Sequence, residues 1–214
     1  MTDTQLDAVR RVLRFLQHTA GRDKLYRTAQ YGSRLILRAW KGRPNAPQFL
    51  AILNTLESHL SLSRKLFRLF SSIDFLINAL DSLKEREPVV RYLTFSAMIC
   101  KAIWLLIDHI LWLSKANLIN FETTRWTKRS NWIWLFGILF LIVRDVYNIR
   151  VRKLTKRSNY RALVRNVCDM MLPVGNLGIV RCHDSGTAGL FGIISSLIGA
   201  YDIWLKVEAK NKIE

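Results

Sequence analysis

Residues 185–201 read SGTAGLFGIISSLIGAY, seventeen residues without a charge, continued by Asp202 and the apolar Ile203-Trp204-Leu205. A helix that crosses a bilayer needs about 20 mostly apolar residues, and this run has that length and composition. A soluble core helix rarely places Gly at 186, 189, 192 and 199, because each costs about 1 kcal/mol of helix propensity. Ala188, Gly192, Ser196 and Ala200 recur every fourth residue and form a flat ridge of small side chains. In lipid such a ridge lets helices approach closely and associate. The stretch is predicted to span a membrane.

Working outward, Trp132–Val143 reads WIWLFGILFLIV between Lys128-Arg129 and Arg144-Asp145. Counting from Ser130, the 14 uncharged residues cover roughly 21 Å, short of a ~30 Å hydrocarbon core. Trp126, Trp132 and Trp134 stand where an aromatic belt would lie. The segment is a shallow or re-entrant helix, or a span completed by snorkelling basic residues. Residues 89–116 are apolar too, but Lys101, Asp108 and Lys115, extended by Thr94, align on one polar stripe. A span would have to bury those charges against protein, so this helix reads as a bundle or interface element.

Composition agrees with a membrane setting. The 214 residues carry 33 Lys+Arg against 16 Asp+Glu, a net charge of +17, with seven Trp, ten Phe and six Tyr. Mean hydropathy is +0.09 and the pI is near 10.4. A disordered basic tail would lack the large apolar residues. Such a chain wants hydrocarbon and anions together, and a membrane surface offers both. A soluble nucleic-acid binder is disfavoured by the 185–201 run. Three cysteines without C-x-x-C spacing exclude a zinc module or disulfide scaffold. The first residues lack the layout of a secretory signal, and the last three match no peroxisomal matrix, ER-retention or prenylation signal. Turn residues are too sparse for a β fold, since no Gly occurs between Gly42 and Gly137. Helices are predicted near 4–19, 23–41, 47–86, 89–116, 131–157, 160–172 and 187–210, with Asn45 and Pro47 at the start of the third. The fold class is all-α, an integral membrane protein with N-terminal amphipathic helices and one or two C-terminal membrane segments. Its regions are 1–88 (amphipathic helices), 89–128 (amphipathic or interfacial helix) and 129–214 (membrane region with the basic stretch 144–165).

Within the first region, Leu60–Leu83 reads LSLSRKLFRLFSSIDFLINALDSL. Leu62, Leu66, Leu69, Ile73, Leu76, Leu80 and Leu83 alternate by four and three, one stripe of a single helix, widened by Phe67, Phe70 and Ile77. Arg64, Lys65 and Arg68 flank its first turns. The pattern alone suits a core-facing helix. Aromatic and basic residues in the same turns suit a helix lying among lipid headgroups. Between Arg144 and Arg165 the chain carries eight Lys and Arg against Asp145 alone. Flanked by apolar segments, this basic stretch is assigned to anionic lipid rather than nucleic acid. No G-x-S-x-G, Walker loop, H-E-x-x-H or G-x-G-x-x-G is present, so no enzyme is predicted, and no cofactor or metal. Cys182-His183-Asp184 are sequence neighbours, which cannot generally aim at one another as a triad.

Gly21-Arg22-Asp23-Lys24 followed by Gln30-Tyr31-Gly32 resembles the N-terminal signature of the peroxisomal membrane protein 11 (peroxin-11) family. Further matches run in order: Ser63–Arg68, Asp108–Leu113, Arg144–Tyr147 and Gly189–Ser196. His109 stands where that family's pattern has Asn or a similar polar residue. The resemblance implies a peroxisomal membrane protein that elongates the membrane and promotes peroxisome fission, with an amphipathic helix, here Leu60–Leu83, inserted in the cytosolic leaflet. It implies homo-oligomers, dynamin-type fission machinery with its adaptor, and the peroxisomal membrane-protein import receptor as partners. Both termini are expected in the cytosol, although two full spans would then put the basic stretch in the lumen, against the positive-inside tendency. The alternative from another class is a metabolite channel, for which the Lys101/Asp108/Lys115 stripe is the candidate lining.

Overall fold

The computed structural model describes residues 3–41, 47–180 and 185–211, and among these it is all helix and connection. The helices are α1 (Asp3–Gln17), α2 (Thr19–Ala39), α3 (Pro47–Phe67), α4 (Ser71–Ser82), α5 (Pro88–Lys115), α6 (Thr123–Arg150), α7 (Arg157–Asn176) and α8 (Ser185–Asn211). Asn45 and Cys182-His183-Asp184 lie outside the described residues.

The single helix expected over 47–86 is two. Phe70 adopts a left-handed φ of 66° and ends the run, with α4 starting at Ser71. The periodicity of apolar residues continues across the break, which is why the pattern could not reveal it. What holds the break is polar: Lys65 and Arg68 both pair with Asp108 of α5, and His109 Nε2 lies 3.0 Å from the Arg68 carbonyl oxygen.

Short connections make the neighbours α5, α6, α7 and α8 antiparallel. Trp104 stacks on Trp134 with ring centroids 4.9 Å apart, joining α5 to α6 at mid-length. Gly137 of α6 permits that approach, because a β-carbon there would sit 3.0 Å from the Cys100 β-carbon. Asn166 Nδ2 donates to Asp145 at 2.7 Å, joining α6 to α7. Arg161 and Arg165 of α7 reach Asp202 of α8 at 2.9 and 3.1 Å. Then α8 packs on α2, α2 on α3, and α4 on α5, so the helices close around one interior.

That interior is inverted relative to a soluble bundle. Arg27, Gln30, Arg64, Asp108, Asn131, Asp145, Asn166, Ser195 and Ser196 are buried. Large apolar side chains on every helix face out, among them Ile52, 65% exposed, and Leu80 at 63%. Arg27, Arg64, Asp108 and Asp145 go inside paired with opposite charge, and so many outward apolar side chains suit a surface that meets hydrocarbon.

Three helices, α5, α6 and 186–209 within α8, are long and apolar enough to cross a membrane. Of the two readings of α5, bundle or interface, the structure shows the bundle. Its polar stripe turns inward, with Asp108 buried against Lys65 and Arg68 and Lys101 over the Phe75 ring, while Lys115 sits exposed at the helix end. The length shortfall of 132–143 also disappears, because α6 runs 28 residues, about 42 Å.

Candidate functional site: a polar interior under an apolar surface

The interior begins with α2. Gly21 is buried where a β-carbon would meet the Phe15 carbonyl oxygen at 2.3 Å, so only Gly allows the tight turn from α1. Arg22 lies over the Phe67 ring at 5.8 Å. Asp23 accepts from Arg64 Nε at 3.0 Å. Burial alone would raise the Asp23 pKa, but Arg64, Lys24 and Arg68 outweigh it and hold the carboxyl below its usual range. Gln30 donates to Glu57 at 2.8 Å and accepts from Arg64 at 2.6 Å. Arg27 pairs with Asp169 of α7. The signature thus builds a polar seam binding α2 to α3, α7 and α8, with Gly32 facing open space.

The small residues of α8 receive α2. A β-carbon at Gly192 would lie 2.3 Å from the Tyr31 ring, and one at Gly189 would lie 3.0 Å from the Tyr31 carbonyl oxygen. Ser196 is fully buried, while Ala188 and Ala200 are half-buried. Gly192 and Ser196 therefore serve close approach within the chain, and the surface that α8 turns outward consists of Leu190, Leu197 and Tyr201.

The stretch 60–83 separates into two parts. Leu62, Leu66, Phe70, Ile73, Leu76, Ile77, Leu80 and Leu83 are exposed, and Phe67 and Leu69 are half-buried. The side that α4 buries holds Ser72, Ala79 and Ser82. Arg64, Lys65 and Arg68, expected on the lipid side, point inward: Arg64 to Asp23 and Gln30, the other two to Asp108 at 2.6 and 3.0 Å. Carboxylates distant in sequence attract them, and no periodicity in 60–83 encodes that. The helix predicted over 4–19 is α1, whose outward strip of Leu6, Val9, Val12 and Leu13 was not singled out in the sequence. Nor were the two faces of the helix predicted over 160–172, now α7, which shows Tyr160, Val164 and Val167 outside and keeps Asn166 and Asp169 inside. The i, i+3, i+4 spacing of those residues was the available signal in both cases. In the basic stretch, Arg144, Arg161 and Arg165 are spent on internal carboxylates, and Lys153, Lys156 and Arg157 at the α6–α7 connection stay exposed.

Between α2, α3, α4, α5, α6 and α7 lies a cavity of about 520 Å³. Its wall combines Lys24, Arg27, Arg64, Arg68 and Lys101 with Tyr31, Phe75, Trp104 and Trp134. Of the polar stripe on α5, only Lys101 reaches it.

The sequence model of peroxisomal biogenesis factor 11 matches residues 9–161 and 153–204. The chain belongs to this family. Human peroxisomal membrane protein 11B is 32% identical over 119 residues, 55% of this chain and 46% of that protein. The Arabidopsis thaliana protein of the same name is 32% identical over 115 residues, 54% of this chain and 49% of its own length. Human peroxisomal membrane protein 11A is 28% identical over 118 residues, 55% and 48% of the two chains. The matched part thus spans about half the length of these relatives. No solved structure matches the chain. Family and apolar helices together make this an all-α protein of the peroxisomal membrane.

Proposed function

We propose that this protein elongates the peroxisomal membrane and promotes its fission by crowding one leaflet, without catalysing a reaction. The observation that carries the reading is α4. It returns along the first half of α5 with Phe75 under Lys101, and it turns Ile73, Leu76, Ile77 and Leu80 outward. An extra helix beside one half of a spanning bundle widens that half, which favours curvature toward the wider side. These four large apolar side chains in lipid contribute on the order of 6–12 kcal/mol gross. The exposed strip on α1 and the cations at 153–157 add anionic-lipid contact. Homo-oligomers would form through outward faces such as Leu190 and Leu197. The dynamin-type fission machinery, its adaptor and the membrane-protein import receptor are partners this reading requires.

We place both ends on the cytosolic side, with α7 as a fourth crossing. Its 20 residues cover about 30 Å; Arg161, Arg165 and Asp169 are paired inward, Arg157 stays exposed at its first residue, and Tyr160, Val164 and Val167 face out. Four crossings return the chain to its starting side and put the 151–156 connection in the cytosol, in line with the positive-inside tendency. Cysteines introduced at Lys153 should then label from the cytosol in intact organelles; labelling only after permeabilisation would remove α7 from the membrane.

The wedge is tested by Ile73→Glu with Leu80→Glu in the full chain. Both side chains are exposed, so the fold should persist while two carboxylates oppose burial in lipid. The variant should reach the organelle and fail to elongate it. Elongation equal to the parent's would overturn the mechanism. The polar cavity favours a second reading, a metabolite channel, and solute efflux from liposomes carrying the purified protein separates the two.

A further inference from the structure

We infer that the interior cavity is a binding site for an organic anion, a phosphate or carboxylate carried on an apolar or flat body, held by Lys24 and Lys101. The inference is independent of whether the cavity conducts and of whether α4 acts as a wedge.

The charge count points there. Six cations line the cavity, Lys24, Arg27, Arg34, Arg64, Arg68 and Lys101, against Asp23, Asp74 and Asp169. Four of the cations are matched: Arg27 with Asp169, Arg64 with Asp23, Arg34 with Glu57 and Arg68 with Asp108. Among the described residues no carboxylate lies within 4 Å of Lys24 or Lys101. Both lysines thus line the cavity with no carboxylate in contact, and buried cations ordinarily have one.

Their placement is built in. The Lys24 stem lies in the notch above Gly199, where a β-carbon would come within 2.9 Å of Cε, so α8 has no side chain in its way. Lys101 projects from the middle of α5 and holds its ammonium 5.5 Å from the Phe75 ring centroid. Asp169 is the carboxylate whose field both lysines feel, and it is already engaged by Arg27. Beside the lysines, Trp104, Trp134 and Tyr31 offer flat apolar walls. A volume of about 520 Å³ falls in the usual range for small-molecule sites. Cations interleaved with aromatic rings suit an anionic head on an apolar or flat body better than a bare inorganic ion.

The anion could belong to a soluble phosphate ester or to a lipid headgroup, and the experiment has an arm for each. The full-length protein is placed in nanodiscs of phosphatidylcholine and titrated with phenyl phosphate, with inorganic phosphate and phenol as controls. A second set of discs carries phosphatidic acid, and thermal stability is read. Saturable binding of phenyl phosphate, weakened at least tenfold by Lys24→Gln or Lys101→Gln, supports a site for soluble anions. Stabilisation by phosphatidic acid alone, lost in both variants, supports a lipid headgroup. Lys84→Gln, at the surface just beyond α4, should change neither. If Lys24→Gln does not assemble, Lys101→Gln decides by itself. Absence of both signals in the parent overturns the inference, as does binding that ignores both lysines.

Discussion

The two halves of Leu60–Leu83 have the same apolar spacing and opposite fates. Before Phe70, three cations turn inward to carboxylates on other helices, and only the outer edge of the helix stays apolar. After Phe70, α4 makes no ion pair with the interior, exposes its large residues and buries Ser and Ala. One half anchors and the other half displays. A basic residue beside an apolar stripe is therefore no sign by itself of lipid contact, since an acid forty residues away can claim it.

The contrast is broken most directly at Asp108. It is buried and serves Lys65 and Arg68 together, so Asp108→Ala leaves two cations without a partner. Removing one side of a buried pair costs about 3–5 kcal/mol. The variant should unfold far earlier than the parent in detergent. Leu80→Ala, in the displaying half, should melt within about 0.5 kcal/mol of it. Equal losses at the two positions would mean that the halves are not distinct.

How much of this was legible follows from range. Helical class, the apolar segments of α6 and α8, and the outward stripe of α4 are written in local periodicity. The family signature was visible as letters, yet its purpose was not. Asp23, Gln30 and Tyr31 acquire meaning only opposite Arg64, Glu57 and Gly192, which lie 27 to 161 residues away. The ridge on α8 was legible as a row of small residues, whereas the partner that Gly192 receives, Tyr31 of the same chain, could not be inferred. The lining of the cavity drew on six helices, and no motif spans six helices.

A smaller effect sharpens the division between interior and surface. Burial, aided by Arg27, pushes the Lys24 ammonium down to about 8, against the pull of Asp23 and Asp169. The groups facing it are Asp23 and Arg27 of α2, Arg64 of α3 and Asp169 of α7, with the Gly199 backbone from α8. Its unfolded value is near 10.5, so between pH 8 and 10.5 the unfolded chain holds the proton that the folded chain has lost. Lys24 therefore contributes rising stability as pH climbs through that window, and the charge available to an anion falls over the same range. Melting curves of parent and Lys24→Gln between pH 7 and 10 should converge as pH rises. Parallel curves would place Lys24 in solvent.

The smallest expected effect is at the joint itself. Phe70 holds a φ of 66°, a region that costs a non-glycine residue about 1–2 kcal/mol, and its side chain is 70% exposed. Nothing in the interior repays that strain through the phenyl ring. The conformation is imposed by the anchors on either side, Arg68 on Asp108 before it and the α4–α5 packing after it. Phe70→Gly removes the strain, although glycine loses more chain entropy on folding. The net gain should be about 1 kcal/mol or less in detergent, where the ring's exposure matters little. In a membrane the same change deletes an outward aromatic from the displaying half, so elongation should weaken while folded stability does not. A Phe70→Gly protein that loses stability and elongates normally would make the joint a structural turn and exclude it from the surface that meets lipid.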